Sequence, residues 1–337
     1  MTTLKEAIDT YKRLSDKDKS KMLRFISESL SYSESNFSDF IEKERSCDNK
    51  VCPHCKSDKI VKFGLKNKVQ RFRCKDCKKT FSNSTGTIIA YAKKSLSTYE
   101  KYLACMLNEL SIKKSAKECD ISIPTAFFWR HKVLDALQNM AESIVLSGIV
   151  ETDETFFNLS YKGNRNKEIF TKERPARHRG KECHKRGLSF EKVCVPCAVN
   201  LTGNAIAMAS NFGKVAEKDL HYVFDNKIEE KSIVCSDKNS SYIKFAQKNN
   251  LELVQLKDGK SHEGIFHIQH INSYHSSLKS FMQKFRGVTT KYLNNYLTWN
   301  NFFSYLKEKL EILESFIFTT LKIATFRMIP KRNAVPF

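Results

Sequence analysis

The sequence predicts a multidomain chain: a helical lead, a small cysteine-knuckle domain, a helix-turn-helix and then an α/β domain. Three observations carry that expectation. Four cysteines fall in two C-x-x-C pairs between positions 52 and 77. Helical periodicity then takes over across 95–145, and from about 147 apolar strands alternate with helices. The length agrees, because one hydrophobic core rarely extends over 337 residues.

Composition narrows the function. With 58 Lys+Arg against 37 Asp+Glu, the formal net charge is +21. The 41% hydrophobic content, with 24 Phe and 12 Tyr, needs burial and excludes disorder throughout. No uncharged apolar run is long enough to span a bilayer, and Met1-Thr-Thr-Leu-Lys-Glu lacks the basic and apolar regions of a secretory signal. Eleven cysteines in a chain expected to stay in the cytoplasm argue for reduced thiols and metal ligation. A soluble chain this basic is expected to meet a polyanion, nucleic acid first.

Residues 1–46 are expected to be helical, with Leu4, Ile8, Tyr11 and Leu14, then Met22, Phe25, Ile26 and Leu30, at helical spacing. Their role is not legible. Over 47–94 the composition turns basic, thirteen Lys/Arg against three Asp/Glu. There Cys52-Pro-His-Cys55 and Cys74-Lys-Asp-Cys77 match the spacing of a zinc ribbon, in which two knuckles complete one tetrahedral thiolate site. Phe63, Gly64, Phe72 and Phe81 are placed to cover it. Four thiolates leave no open position, so this zinc is expected to be structural. A further pair, Cys194-Val-Pro-Cys197, lies in an alternating apolar stretch and is expected to be strand core.

Within 91–145, Ser111 to Lys132 has the cadence of a helix-turn-helix, with a first helix over Ser115 to Glu118, a turn over Cys119 to Ser122 and Pro124 opening the second helix. Thr125, Phe128, Arg130 and Lys132 would then face DNA. An ordinary packed hairpin is the alternative.

In the α/β domain, Asp153 follows Ile149 and Val150, and Asp237 ends Ile233-Val-Cys-Ser. A strand-end carboxylate is costly to bury without a cation or hydrogen bonds, and two on adjacent strands suit Mg²⁺. Taken singly, each reads first as a turn residue or cap, and the case for a metal depends on their joint placement. Asn272, His275 and Lys279 share a helix face through steps of three and four. Between 162 and 192, eleven Lys/Arg stand against four Asp/Glu, including Arg174, Arg177 and Arg179. This run reads as a phosphate-tracking arm, with a solvated loop as the alternative. Arg286 and Lys291 extend the same basic surface.

Asp153, Asp237 and Asn272-x6-Lys279 behind a zinc ribbon resemble the insertion-sequence transposases with an RNase H-like catalytic domain, the ISXO2-like group. The resemblance runs over about 20–310 and includes the Arg286-Gly-Val-x-x-Lys-Tyr-Leu293 ending. It implies a mixed sheet with helices, Mg²⁺ or Mn²⁺ at the catalytic site, and cleavage and transfer of double-stranded DNA at the element's ends by a homo-oligomer in the prokaryotic cytoplasm. It further implies that Asp153 and Asp237 are metal ligands, that Asn272 takes the third position, that Lys279 lies by the DNA, and that His275 contacts DNA or the active site. Most such enzymes have Glu where Asn272 stands. The expected layout is therefore a helical segment over 1–46, a ribbon over 47–90, DNA-binding helices over 91–145, an RNase H-like domain over 146–310 and a tail over 311–337. The alternative to a transposase is a zinc-ribbon DNA-binding regulator whose RNase H-like domain is inactive.

Overall fold

The computed structural model describes residues 51–66, 69–86, 88–90, 93–141, 144–163, 191–256 and 262–306. The lead over 1–46, the basic run with Arg174, Arg177 and Arg179, and the segment after 310 lie outside the described residues. The chain divides into two units, one of residues up to 85 with 91–99, the other of 86–90 with residues from 100 onward.

In the first unit, β1 (Ile60–Lys66), β2 (Val69–Cys74) and β3 (Thr80–Ser82) form an antiparallel sheet in that order. Its buried cluster is Cys52, Cys74 and Phe81, with Ile60, Phe72 and Cys77 packed against it. That is far too little apolar surface to hold a fold, so a further constraint is needed. Phe72 and Phe81 do cover the cysteines, with ring centroids 5.7 Å apart. Phe63 does not. It faces outward beneath the guanidinium groups of Arg71 and Arg73, at 5.5 and 5.3 Å, because it lies beside the irregularity in β1 where the pairing register shifts.

The second unit takes in most of α1 (Leu96–Leu107), then α2 (Ile112–Glu118) and α3 (Ile123–Ala141). Ser111 caps α2, its hydroxyl accepting from the Lys114 N–H. The turn passes through Asp120, whose φ of +48° is tolerated by Asp better than by most residues. Ser122 then accepts from the Thr125 N–H at 3.3 Å and starts α3.

The central sheet of this unit runs β6-β5-β4-β8-β9, with β7 also on β5. Its strands are β4 (Ile149–Asn158), β5 (Lys192–Asn200), β6 (Ala205–Ala207), β7 (Asn211–Phe212), β8 (Ile233–Ser236) and β9 (Glu252–Gln255). β4 and β5 pair antiparallel, whereas β4 with β8, and β8 with β9, are parallel. The sheet is mixed, as expected. Every residue from Val193 to Asn200 is buried, which requires cover on both faces. One face packs on α4 (Glu217–Phe224) and α5 (Ser240–Lys248), through Leu220, Val223, Phe224, Tyr242 and Phe245 against Val150, Cys194, Ala198 and Val234. The other is covered by α6 (Gln269–Gln283) and α7 (Leu293–Leu306). A short hairpin, β10 (His262–Glu263) with β11 (Phe266–His267), leads into α6. Cys194 and Cys197 are both fully buried on β5, the strand core that alternation predicts.

Candidate functional site

The parallel pairing of β4 and β8 sets Glu151 against Cys235. Two residues further along each strand, the same register brings Asp153 level with Asp237, just past the end of β8. Strands alternate their side chains, so Glu151 and Asp153 share the face beneath α6, and Glu154 turns to the opposite face. There the Tyr242 hydroxyl donates to Glu154 Oε1 at 2.9 Å.

The site's electrostatics follow from this crowding. Burial first, then the neighbouring Asp237 charge, pushes Asp153 up to about 6, against the pull of the Glu154 N–H and Lys279. Burial likewise raises Glu154 to about 7, against the Tyr242 hydrogen bond, with Asp153 and Asp237 adding to the rise. Partly buried carboxylates raised together are an arrangement that gains most from a cation. The donor set, oxygen only from Asp153 and Asp237, fits a hard ion such as Mg²⁺ or Mn²⁺.

On α6, His275 Nδ1 lies 3.7 Å from Asp153 Oδ2. Burial and the nearby Lys279 depress its basicity to about 4, so at neutral pH the ring is uncharged and this approach is no ion pair. His275 Nε2 is buried without a hydrogen-bond partner among the described residues. Asn272, one turn earlier, is exposed, as is Lys279 one turn later. Asp153, Asp237, His275 and Lys279 are thus brought to one place, with Asn272 on the same helix.

Two expected DNA contacts fall elsewhere. Arg130 is fully buried, donating to the Leu110 carbonyl at 2.7 Å and to Ser115 Oγ at 3.2 Å. Lys132 is also buried, donating to the Ala90 carbonyl at 3.1 Å. Both lie on the face of α3 that packs inward, so neither meets solvent or a groove. His275, expected at DNA or the active site, is buried and faces Asp153. Arg286 is exposed, and its carbonyl, with that of Gly287, accepts from Lys162 Nζ at 2.7 and 2.8 Å. The exposed surface of the helix-turn-helix comes from Lys113, Lys114 and Lys117 of α2 and from Ile123, Phe127 and Phe128 of α3.

In the first unit, the Sγ atoms of Cys52, Cys55, Cys74 and Cys77 lie within 4.8 Å of one another. The contacts Cys52–Cys77 and Cys55–Cys74 are both 3.6 Å. A tetrahedron of thiolates about 2.3 Å from zinc has edges of about 3.8 Å, so the four sulfurs fit that ion. The knuckles are built alike. Lys56 and Lys78, each four positions after its first cysteine, are left-handed at φ of +64° and +60°. Backbone N–H groups of Cys77 and Asp76 pull the Cys74 thiol down to about 6, whereas its neighbour Cys55 is pushed up to about 12.

A mixed sheet thus carries strand-end carboxylates under a polar helix, and comparison with known proteins identifies the class of domain. Residues 145–302 match the family model described as ISXO2-like transposase domain, which supports an insertion-sequence transposase of that family. An uncharacterized protein in transposable element ISH50 of Halobacterium salinarum is 26% identical over 250 residues, 73% of this chain and 82% of that protein. Among solved structures, the catalytic domain of Mos1 mariner transposase aligns at 10% identity and a TM-score of 0.22, over 59% of this chain and 93% of that one. A pre-cleavage Mos1 transpososome aligns at 10% identity and a TM-score of 0.22, over 66% and 79%. A simian T-cell lymphotropic virus intasome in complex with a PP2A regulatory subunit aligns at 9% and 0.30, over 60% and 67%. The family assignment rests on the family match and the transposable-element relative. No helix among the described residues is long and apolar enough to cross a membrane.

Proposed function

We propose that this transposase binds the ends of its own insertion sequence and cleaves and rejoins DNA strands there, with Asp153 and Asp237 as ligands of catalytic Mg²⁺ or Mn²⁺. What carries the reading is the closeness of Asp153 and Asp237, whose charges act on each other where the β4–β8 register extends past its last pair, within residues that match a transposase domain. The strand order, three antiparallel strands followed by two parallel ones, also supports an RNase H-like catalytic domain. Bound there, divalent ions would neutralise charge on the attacking and leaving oxygens of an in-line displacement. Asn272 takes the third ligand position through its amide oxygen. Lys279 offers an ammonium to a phosphate of the strand being cut. Uncharged His275 acts as a buried support that keeps Asp153 directed toward the metal. Phosphoryl transfer of this kind depends mainly on positioning and charge stabilisation, which this arrangement supplies.

DNA binding is assigned to a zinc-loaded ribbon and to the exposed lysines of α2 with the start of α3, in place of Arg130 and Lys132. A multimer bridging two ends is the expected acting form.

The test is strand cleavage on DNA carrying the gene's flanking sequences, with Mg²⁺ or Mn²⁺. The unaltered protein is expected to nick at the element ends, and Asp153→Ala to bind those ends without cutting. Cutting by Asp153→Ala at the unaltered rate would overturn the assignment. Asn272 is the observation favouring a regulator instead, since an amide brings no charge to the metal. End binding without any cleavage by the unaltered protein would support that second reading.

A further inference from the structure

Glu151 stands on the same face of β4 as Asp153, two residues earlier, and is only 2% exposed. A carboxylate so buried requires compensation. Its Oε2 accepts the Ile271 N–H at 3.0 Å, in the first turn of α6. Its Oε1 faces two imidazoles together, His270 Nδ1 at 2.5 Å and His267 Nδ1 at 3.0 Å. The two rings are 4.8 Å apart between centroids and inclined at 41°, and both present Nδ1 to the same Glu151 oxygen. The three ligand atoms lie within 4.8 Å of one another.

We propose that Glu151, His267 and His270 form a second metal site, a zinc-class staple distinct from both the cysteine ribbon and the Asp153–Asp237 pair. Two imidazole nitrogens with one carboxylate oxygen form a donor set that suits zinc. The Ile271 hydrogen bond to Oε2 is the kind of outer contact that orients a ligating carboxylate and leaves its other oxygen free. His267 Nδ1 also accepts a long contact from the Gln269 N–H, at 3.4 Å, which ligation would replace. Three protein ligands leave a fourth position for water on the side where His270 is half exposed.

The place of the site gives it a purpose. Glu151 belongs to the strand that carries Asp153, His267 ends β11, and His270 opens the helix carrying Asn272, His275 and Lys279. An ion there ties the beginning of α6 to β4 and fixes the distance between the two halves of the proposed catalytic site. Glu151, His267 and His270 are therefore positioning residues, and their site does not depend on whether the chain cuts DNA.

Zinc content of the full-length chain, after equilibration with a weak chelator, tests the site directly. Two ions per chain are expected, falling to one in His270→Ala and in His267→Ala, and remaining at two in Asp153→Asn. The zinc-edge X-ray absorption of the unaltered protein gives a reading that needs no variant. A sulfur shell at about 2.3 Å should be joined by an imidazole shell at about 2.0 Å. An imidazole shell without sulfur would keep the staple and remove the ribbon zinc. A sulfur shell alone, or zinc content that His270→Ala leaves unchanged, overturns the proposal.

Discussion

The guanidinium carbon of Arg130 lies 5.0 Å over the ring of Trp299, and 5.7 Å from that of Phe285. One end of that contact belongs to the second helix of the helix-turn-helix and the other to the last helix of the transposase domain. Arg130 thus joins the two by stacking on aromatic faces, with Nη2 donating to Leu110 and Ser115 while Nε and Nη1 find no hydrogen-bond partner among the described residues. Truncating so large a buried side chain, and with it two hydrogen bonds and the aromatic contacts, is expected to cost about 2–5 kcal/mol. Arg130→Ala should lower the urea midpoint accordingly, and Arg130→Lys should restore little, because an ammonium cannot stack or fork. A loss of DNA affinity in Arg130→Ala at unchanged stability would return this residue to the DNA-binding surface.

Lys132 gives the same helix a pH dependence. Burial lowers its basicity from 10.5 to about 8. Between those values the unfolded chain holds the proton and the folded one does not, so this lysine makes stability rise with pH across that window. Below pH 8 the penalty for burying the charge is fully present. Lys132→Met is therefore expected to be more stable than the unaltered protein at pH 7, by at most about 3 kcal/mol. The difference should shrink as pH approaches 10, in paired urea titrations. A pH-independent difference would show that the ammonium, held at the Ala90 carbonyl, stays charged at no cost.

Much of this was legible in the sequence. The ribbon cysteines, the turn between α2 and α3, and the strands around Asp153 and Asp237 are all signalled by spacing or alternation that local geometry enforces. What was not legible depended on which way a helix faces. Arg130 and Lys132 look like groove-facing cations because basic residues are usually solvated. Packing turns them inward: Arg130 stacks on Trp299 of α7, and Lys132 reaches the Ala90 carbonyl. Phe63 erred in the other direction, since a register shift in a short strand cannot be read from an aromatic residue's position. The Glu151–His267–His270 cluster left only a weak trace, two histidines three apart before a helix. Their partner is more than a hundred residues away.

As a proposed metal ligand, Asp153 should couple stability to divalent ions. Its carboxyl sits at about 6 in the folded protein, against 3.8 in the ordinary state. Between those values the folded state holds the proton more firmly, so stability falls as pH rises through this window and stays reduced above it. Without divalent ions at pH 7.5, Asp153→Asn is thus expected to be more stable than the unaltered protein, by about 1–2 kcal/mol. Mg²⁺ should reverse the order, because binding only to the folded state adds stability with concentration. Thermal unfolding with and without Mg²⁺ measures both effects. Equal stabilisation of the two proteins by Mg²⁺ would place the ion elsewhere.

Asn272 is the position where a single change should strengthen the site. It is exposed in the first turns of α6, three residues before His275 and seven before Lys279, and its N–H already donates within the helix to the Ile268 carbonyl at 3.2 Å. A glutamate there is compatible with the helix, since a negative charge near the N-terminal end is favoured by a few tenths of a kcal/mol, about 0.3 or more. It would also add a third carboxylate facing the Asp153–Asp237 pair. Without metal this charge is expected to push Asp153 further up, and with metal to tighten binding. Asn272→Glu should therefore reach half-maximal Mg²⁺ stabilisation at a roughly tenfold lower concentration, equivalent to about 1.4 kcal/mol. Strand cleavage at limiting Mg²⁺ should rise in parallel, while end binding stays as it is. An unchanged Mg²⁺ response in a folded Asn272→Glu protein would remove Asn272 from the ligand set and leave Asp153 and Asp237 to hold the ion with water.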